Sequence, residues 1–141
     1  MNIVETTGGI QRQRQLAVLA VEWFLKHKLP RFRTLEIDIE LKNLKGKIYG
    51  FCECVEPRKF TIEIQRGMSD RKLISTVLHE MIHVKQYVRN ELIDIDAGKI
   101  QWKSRKFKDV DYWDQPWERE AYRYDERFTN EFIKYVQKNI F

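Results

Sequence analysis

The stretch STVLHEMIHVKQY, Ser75–Tyr87, places two of the chain's three histidines four residues apart, with a glutamate directly after the first. Apolar residues recur here at helical spacing, so we predict a helix from about Ser69, a good N-cap residue, to about Asn90. At about 100° per residue, His79 and His83 lie within about 40° of each other on the polar side of this helix. Both imidazoles are therefore expected to face one polar groove.

Side chains at positions i and i+4 have Cβ atoms about 5–6 Å apart, which lets two imidazoles reach one metal ion. Glu80 lies one step round the helix, beside such an ion and not on it. The pattern therefore predicts His79 and His83 as ligands of one Zn²⁺ per chain, and Glu80 as the general base that takes a proton from a metal-activated water. The alternative is a helix face with two incidental histidines, and the long amphipathic helix around the motif favours the metal site.

Two histidines do not complete such a site, because catalytic zinc uses three protein ligands and an open position. The remaining histidine, His27, lies near the end of a predicted helix and is expected to pack or to lie at the surface. A carboxylate is therefore the better candidate for the third ligand.

The sequence HEMIH, followed by PWEREAY at residues 116–122, resembles the gluzincin type of zinc metallopeptidase. The resemblance is closest to small single-domain HExxH proteins of bacteriophages and bacteria, and the chain has no third histidine in the metzincin arrangement. In gluzincins a second helix supplies a glutamate in the pattern ExxA, which maps here to Glu118–Ala121 and implies Glu118 as the third ligand. Glu120 stays the alternative, since the two glutamates lie about 200° apart on a helix and only one can face the metal.

Further side chains are candidates for supporting roles around the metal. Asp125 lies on the same helical face as Glu118 and is expected to orient a ligating histidine through its second ring nitrogen. A phenol near the metal would stabilise an oxyanion, and Tyr122, Tyr87 and Tyr112 are the candidates.

The patterns around the motif predict an α+β domain. Residues Gln11–Lys28 have helical spacing, and a last helix is expected to open at Pro116 with Asp114 or Gln115 as its cap. A short hairpin is expected within residues 99–110. Alternating apolar and polar residues predict three strands that pair as a mainly antiparallel meander, namely 34–41, 45–56 and 59–65. The resemblance implies one zincin-like domain over residues 1–141, of which 1–9 are expected to be flexible.

The composition is that of one soluble domain, with 141 residues of which 43% are hydrophobic. No segment has the roughly 18 consecutive apolar residues of a membrane span, and no signal peptide is recognisable, so we expect a cytoplasmic protein, located in the host cytoplasm if it is phage-encoded.

Cys52 and Cys54 are expected to be half-buried residues of one strand rather than an incomplete second metal site. The net charge of +5 and the basic stretch Lys103–Lys108 leave a nucleic-acid partner open, with weak support because charges of both signs are interspersed.

Together these features predict a zinc-dependent peptidase that acts on a peptide or protein substrate. The alternative is a non-catalytic, zinc-containing module that binds protein or nucleic acid. Structural zinc sites prefer closed shells rich in cysteine, whereas two histidines and one glutamate beside a free glutamate leave the site open, which favours the enzyme. The sequence carries no prediction of oligomeric state.

Overall fold

The computed structural model describes residues 1–46 and 48–139. It has two β-sheets, three α-helices and one 3-10 turn, which is formed by Tyr112–Asp114. The elements in chain order are β1 (Ile3–Gly8), α1 (Gln11–Lys28), β2 (Glu36–Lys42), β3 (Gly50–Glu56), β4 (Lys59–Gln65), α2 (Asp70–Val88), β5 (Leu92–Asp96), β6 (Lys99–Trp102), β7 (Arg105–Lys108) and α3 (Pro116–Asn139). The predicted α+β class is confirmed.

The first sheet has the strand order β1-β2-β4-β3, in which β1–β2 and β2–β4 are parallel and only β3–β4 is antiparallel. The predicted three-stranded antiparallel meander is therefore wrong in both strand number and order. Period-two alternation identifies a strand but does not specify its neighbour. The two strands with the most buried residues are adjacent at the centre, where these residues pair as Ile37 with Phe60, Ile39 with Ile62 and Leu41 with Ile64.

The N-terminal segment is a strand and not the flexible tail expected for residues 1–9. Residues Ile3–Gly8 pair in parallel with Glu36–Leu41, and the side-chain Nδ2 of Asn2 donates to the carbonyl oxygen of Phe32 at 2.9 Å. None of the six strand residues is fully buried. Its sequence, IVETTG, also lacks the regular apolar alternation that predicts a strand.

The first two helices pack against the sheet and form the core with it. Helix α1 has the predicted bounds, and α2 begins after Ser69, whose hydroxyl accepts a hydrogen bond from the backbone amide of Lys72 at 3.3 Å. Helix α2 ends at Val88, two residues before the predicted end, because Asn90 has a left-handed φ of 58°. Cys52 and Cys54 are half-buried on one face of β3, as predicted.

The second sheet, in the order β5-β6-β7, is antiparallel and follows α2. Its β6–β7 hairpin was predicted, and Lys103 and Ser104 make the two-residue turn with φ values of 46° and 72°. Strand β5 was not predicted. Leu92, Trp102 and Trp117 form a small apolar cluster that attaches this sheet to the start of α3.

Helix α3 begins at Pro116 as predicted and packs its aromatic stripe against the rest of the core. Its Phe128 and Phe132 contact Phe24 and Trp23 of α1, with ring centroids 5.9 and 5.7 Å apart. His27 packs between the rings of Trp23 and Tyr135 and so has the structural role expected of it. None of the helices within the described residues has the length and apolar character needed to cross a membrane.

Candidate metal centre

Helices α2 and α3 bring three potential metal ligands together. The ligand atoms of His79, His83 and Glu118 all lie within 4.8 Å of one another, so the triad could hold a metal ion. The two histidines are only 6% and 5% exposed, because α3 covers the side of α2 that carries them. The part of the polar side of α2 that carries the two histidines is thus buried, where the helical wheel predicted a polar groove.

Both histidines point the same ring nitrogen at the same carboxylate. His79 Nε2 lies 3.0 Å from Glu118 Oε1, and His83 Nε2 lies 3.0 Å from Glu118 Oε2. The two imidazole rings are 5.2 Å apart and nearly perpendicular, at 79°. Two nitrogens and a carboxylate therefore converge on one small volume.

The other nitrogen of each histidine has a fixed partner. Asp125 Oδ2 lies 3.0 Å from His79 Nδ1, which is the orienting contact predicted from the sequence. Gln86 Oε1 lies 2.8 Å from His83 Nδ1 and must accept, since Gln86 Nε2 donates to the carbonyl oxygen of Trp117 at 3.0 Å. Each imidazole thus keeps a proton on Nδ1, and a metal ion that displaces the second proton would bind at Nε2.

The charges of the triad are strongly coupled. Burial lowers the pKa of His79, but its hydrogen bonds to Asp125 and Glu118 outweigh this effect and raise the pKa to about 9. Burial acts to lower the pKa of His83 as well, but the adjacent Glu118 carboxylate has the larger effect, so the pKa of His83 is raised. Burial raises the pKa of Glu118, yet the adjacent imidazoles of His79 and His83 dominate and bring the pKa down to about 2. Glu118 is consequently an anion that attracts either protons or a metal cation between itself and the imidazoles.

A metal ion fits this arrangement. Among the buried side-chain polar atoms of the described residues, His83 Nε2 is the one without a hydrogen-bond partner, although Glu118 Oε2 lies 3.0 Å away. A buried polar atom without a partner costs free energy, and coordination to a cation would satisfy it. Two imidazoles and one carboxylate are also a donor set that zinc accepts.

Glu80 lies beside the triad and is 6% exposed. Burial raises the pKa of Glu80, while the charges of His83 and His79 act in the opposite direction. Gly50, at the start of β3, makes room for this carboxylate, because a Cβ at residue 50 would lie 2.9 Å from Glu80 Oε2 and 2.8 Å from Thr76 Cγ2. Glu80 is thus a buried carboxyl group held next to the triad without belonging to it.

Two of the three candidate tyrosines reach the triad. The Tyr112 hydroxyl donates to Glu118 Oε1 at 3.0 Å and lies 2.9 Å from the Tyr122 hydroxyl, and the Tyr122 ring is 4.5 Å from the His79 ring. The structure does not bring Tyr87 to the site, since its hydroxyl donates to Asp94 of the second sheet at 3.0 Å. Partial desolvation of its hydroxyl, the hydrogen bond to Tyr122 and the adjacent Glu118 carboxylate raise the pKa of Tyr112, so its phenol stays protonated and able to donate.

The runner-up ligand, Glu120, points away from the triad. Its carboxylate accepts hydrogen bonds from Gln86 Nε2 at 3.2 Å and from Lys103 Nζ at 3.5 Å. Sequence reasoning gave no role to Gln86 or Gly50. Gln86 could have been found, because it lies about 20° from His79 on the helical wheel, whereas nothing in the sequence relates Gly50 to Glu80.

Comparison of the chain with protein-family models, with curated proteins and with solved structures finds no match. The site is accordingly defined by its own geometry, which is that of a buried triad of two histidines and one glutamate with a second glutamate beside it.

Proposed function

We propose that the protein is a zinc-dependent peptidase with His79, His83 and Glu118 as the zinc ligands. The observation that carries this proposal is the convergence of the two Nε2 atoms on the Glu118 carboxylate, with His83 Nε2 left without a hydrogen bond. Three protein ligands leave a coordination position open, as catalytic zinc sites require. Glu80 lies beside these ligands but is not one of them, so its carboxyl group is available as a general base, which favours hydrolysis over a structural role for the metal.

Zinc, when bound, supplies a Lewis acid for the scissile carbonyl and lowers the pKa of an attacking water toward neutrality. Glu80 accepts the proton of that water and passes it to the leaving amine. The raised pKa of Glu80 suits both steps, since a carboxyl group that binds a proton more tightly is a better base and can still release the proton as an acid. The Tyr112 hydroxyl, which donates to Glu118, and the Tyr122 hydroxyl beside it are the phenols that would stabilise a developing negative charge.

The first test is the metal content of the purified protein, measured by elemental mass spectrometry. We expect about one zinc per chain in the wild type and in Glu120→Gln, and much less in Glu118→Gln. The two substitutions make the same chemical change two residues apart on one helix, so they are matched controls. Wild-type protein that holds no zinc after zinc is added back would contradict the proposal.

The second test separates catalysis from metal binding. Zinc-loaded wild type is incubated with a mixed peptide library, and new termini are identified by mass spectrometry. We expect cleavage by the wild type and at least about a hundredfold slower cleavage by Glu80→Gln, with zinc content unchanged. Zinc binding without cleavage of any peptide or protein substrate would favour the non-catalytic module.

A further inference from the structure

Three aromatic side chains stand together beside the metal centre and are exposed to solvent. Tyr112 and Trp113 come from the 3-10 turn and Tyr122 comes from α3, and their exposed fractions are 43%, 69% and 44%. Trp113 differs in this respect from the other three tryptophans of the chain, which are buried. Exposed aromatic surface at this density is typical of a binding site and costs solvation free energy when it has no partner. We call these three residues the aromatic wall.

The aromatic wall is held in place by its own contacts. The ring centroids of Trp113 lie 5.1 Å from Tyr112 and 5.3 Å from Tyr122, and the two tyrosine hydroxyls are 2.9 Å apart. Arg119 Nε donates to the carbonyl oxygen of Trp113 at 3.0 Å, and its guanidinium group pairs with Asp114 at 3.2 Å. The wall is thus preformed, and the Arg119 side chain beside it is already paired with an anion.

The wall begins at the metal ligands and extends outward from them. The Tyr122 ring lies 4.5 Å from the ring of His79, and the Tyr112 hydroxyl donates to Glu118. Trp113 is one ring contact further out. An extended peptide advances about 3.3 Å per residue, so a side chain within two residues of a carbonyl at the metal comes level with the wall.

We propose that the aromatic wall is a subsite that binds a large aromatic or apolar side chain of the substrate, within two residues of the scissile bond. This inference rests on the proposed peptidase function and names the class of peptide that it acts on. A neutral wall of three rings favours another ring or a branched aliphatic chain, through ring contacts and the removal of apolar surface from water. The charged residues next to Trp113 in this part of the chain, Arg119 and Asp114, pair with each other.

The experiment uses a set of otherwise identical peptides that carry Phe, Leu, Ala or Lys at one central position. For zinc-loaded wild type we expect kcat/KM to be about tenfold higher for the Phe peptide than for the Ala peptide. Cleavage should fall within two residues of the Phe. Equal kcat/KM for the Phe, Ala and Lys peptides would overturn the inference and leave the proposed function intact.

Substitutions of Trp113 test whether the preference for the Phe peptide comes from the aromatic wall. Trp113→Ala should lower kcat/KM for the Phe peptide about tenfold and for the Ala peptide less than about twofold, with zinc content unchanged. Trp113→Phe should retain the preference, because it keeps a ring at the same place. The control is Ile95→Ala, which removes an exposed apolar side chain from β5 and should leave the preference as it is in the wild type.

A binding measurement tests the wall without turnover. Fluorescein-labelled Phe and Ala peptides are titrated with Glu80→Gln and with Glu80→Gln/Trp113→Ala, and fluorescence anisotropy gives the affinities. Tighter binding of the Phe peptide that depends on Trp113 supports the subsite even if no peptide is cleaved, in which case the proposed function alone fails. Equal affinities of the two peptides for Glu80→Gln would overturn the subsite.

Discussion

Asp125 holds His79 through a single contact of 3.0 Å between Oδ2 and Nδ1. A carboxylate in this position fixes the ring orientation and increases the basicity of the nitrogen that binds the metal. Asp125→Asn keeps the size of the side chain but removes the charge. We therefore expect zinc affinity to fall about 10–100-fold, measured by competition with a chromophoric chelator.

The control for this change is Glu126→Gln, which neutralises the next residue of α3, an exposed carboxylate. Its zinc affinity should equal that of the wild type. If both variants bind zinc as tightly as the wild type does, Asp125 does not orient a ligand.

Gly50 is the second residue at which a small change should have a specific effect. In Gly50→Ala the new Cβ would lie 2.9 Å from Glu80 Oε2, closer than real Cβ contacts, so the Glu80 carboxylate must move. We expect peptide cleavage to fall by at least about tenfold, because a displaced base transfers protons poorly, while zinc content stays the same. Phe51→Ala, on the outward face of the same strand, is the control for changes in strand stability. Cleavage at the wild-type rate by Gly50→Ala would mean that the exact position of Glu80 is unimportant.

At the scale of elements, the first and last helices are linked by a charged contact. Lys28 Nζ at the end of α1 lies 2.8 Å from Glu131 Oε2 of α3, and 4.4 Å from the centre of the Phe128 ring. The bond to Lys28 lowers the pKa of Glu131. Folding therefore favours the charged form of this carboxylate.

This shift determines how stability depends on pH. A lowered pKa stabilises the folded state above the ordinary Glu pKa of 4.5, and the contribution is lost as pH falls through the lower value of the folded state. The two side chains are 24% and 36% exposed, so we expect Glu131→Gln to lower the free energy of unfolding at pH 7 by less than about 1 kcal/mol. Urea denaturation of both proteins between pH 7 and pH 3 should show this difference disappear in acid. Glu22→Gln, an exposed site on α1, is the control, and a difference that is constant with pH would contradict the assignment.

The elements also differ in how well the sequence predicts them. Helix α1 has the predicted bounds because its apolar residues recur over 18 residues, enough turns to define a period and a face. The parallel pairing of β2 with β4 was missed, since alternation is the same whichever strand lies alongside. Strand β1 was missed because its side chains are at most half-buried, and the backbone pairing with β2 that holds it in the sheet leaves no pattern in the sequence.

For the whole molecule, a bound metal ion should increase stability, because the site exists only when α2 and α3 are packed together. Zinc at a free concentration about 100 times its Kd adds about 2.7 kcal/mol to the free energy of unfolding. We expect a rise in Tm of several degrees on addition of zinc and its reversal by a chelator, followed by circular dichroism. Glu118→Gln should show a much smaller rise than Glu120→Gln. An equal rise in both variants would place the zinc elsewhere on the molecule.

The assembly of the site was predictable only where a local rule applies. His79, Glu80 and His83 were predicted from their spacing on one helix, and Glu118 was predicted from the resemblance of residues 118–121 to the ExxA pattern. Trp113 had no such signal, because the 3-10 turn that presents it lies in a loop-rich segment whose path depends on the packing of the second sheet. Burial of the histidines was likewise missed, since a helical wheel shows which residues share a side but not which element will cover that side.

His79 and Glu118 are 39 residues apart in the chain, and β5, β6 and β7 all lie between them. A bound ion would therefore act as a cross-link that closes a loop around the entire second sheet. While the ion stays bound, the ends of this loop stay together, so local unfolding of the sheet would gain less conformational entropy than it would in an unclosed segment, by an amount that grows with the logarithm of the loop length. The metal would in this way restrict the unfolded excursions of three strands that contribute no ligand to it, and link the persistence of that sheet to occupancy of the site.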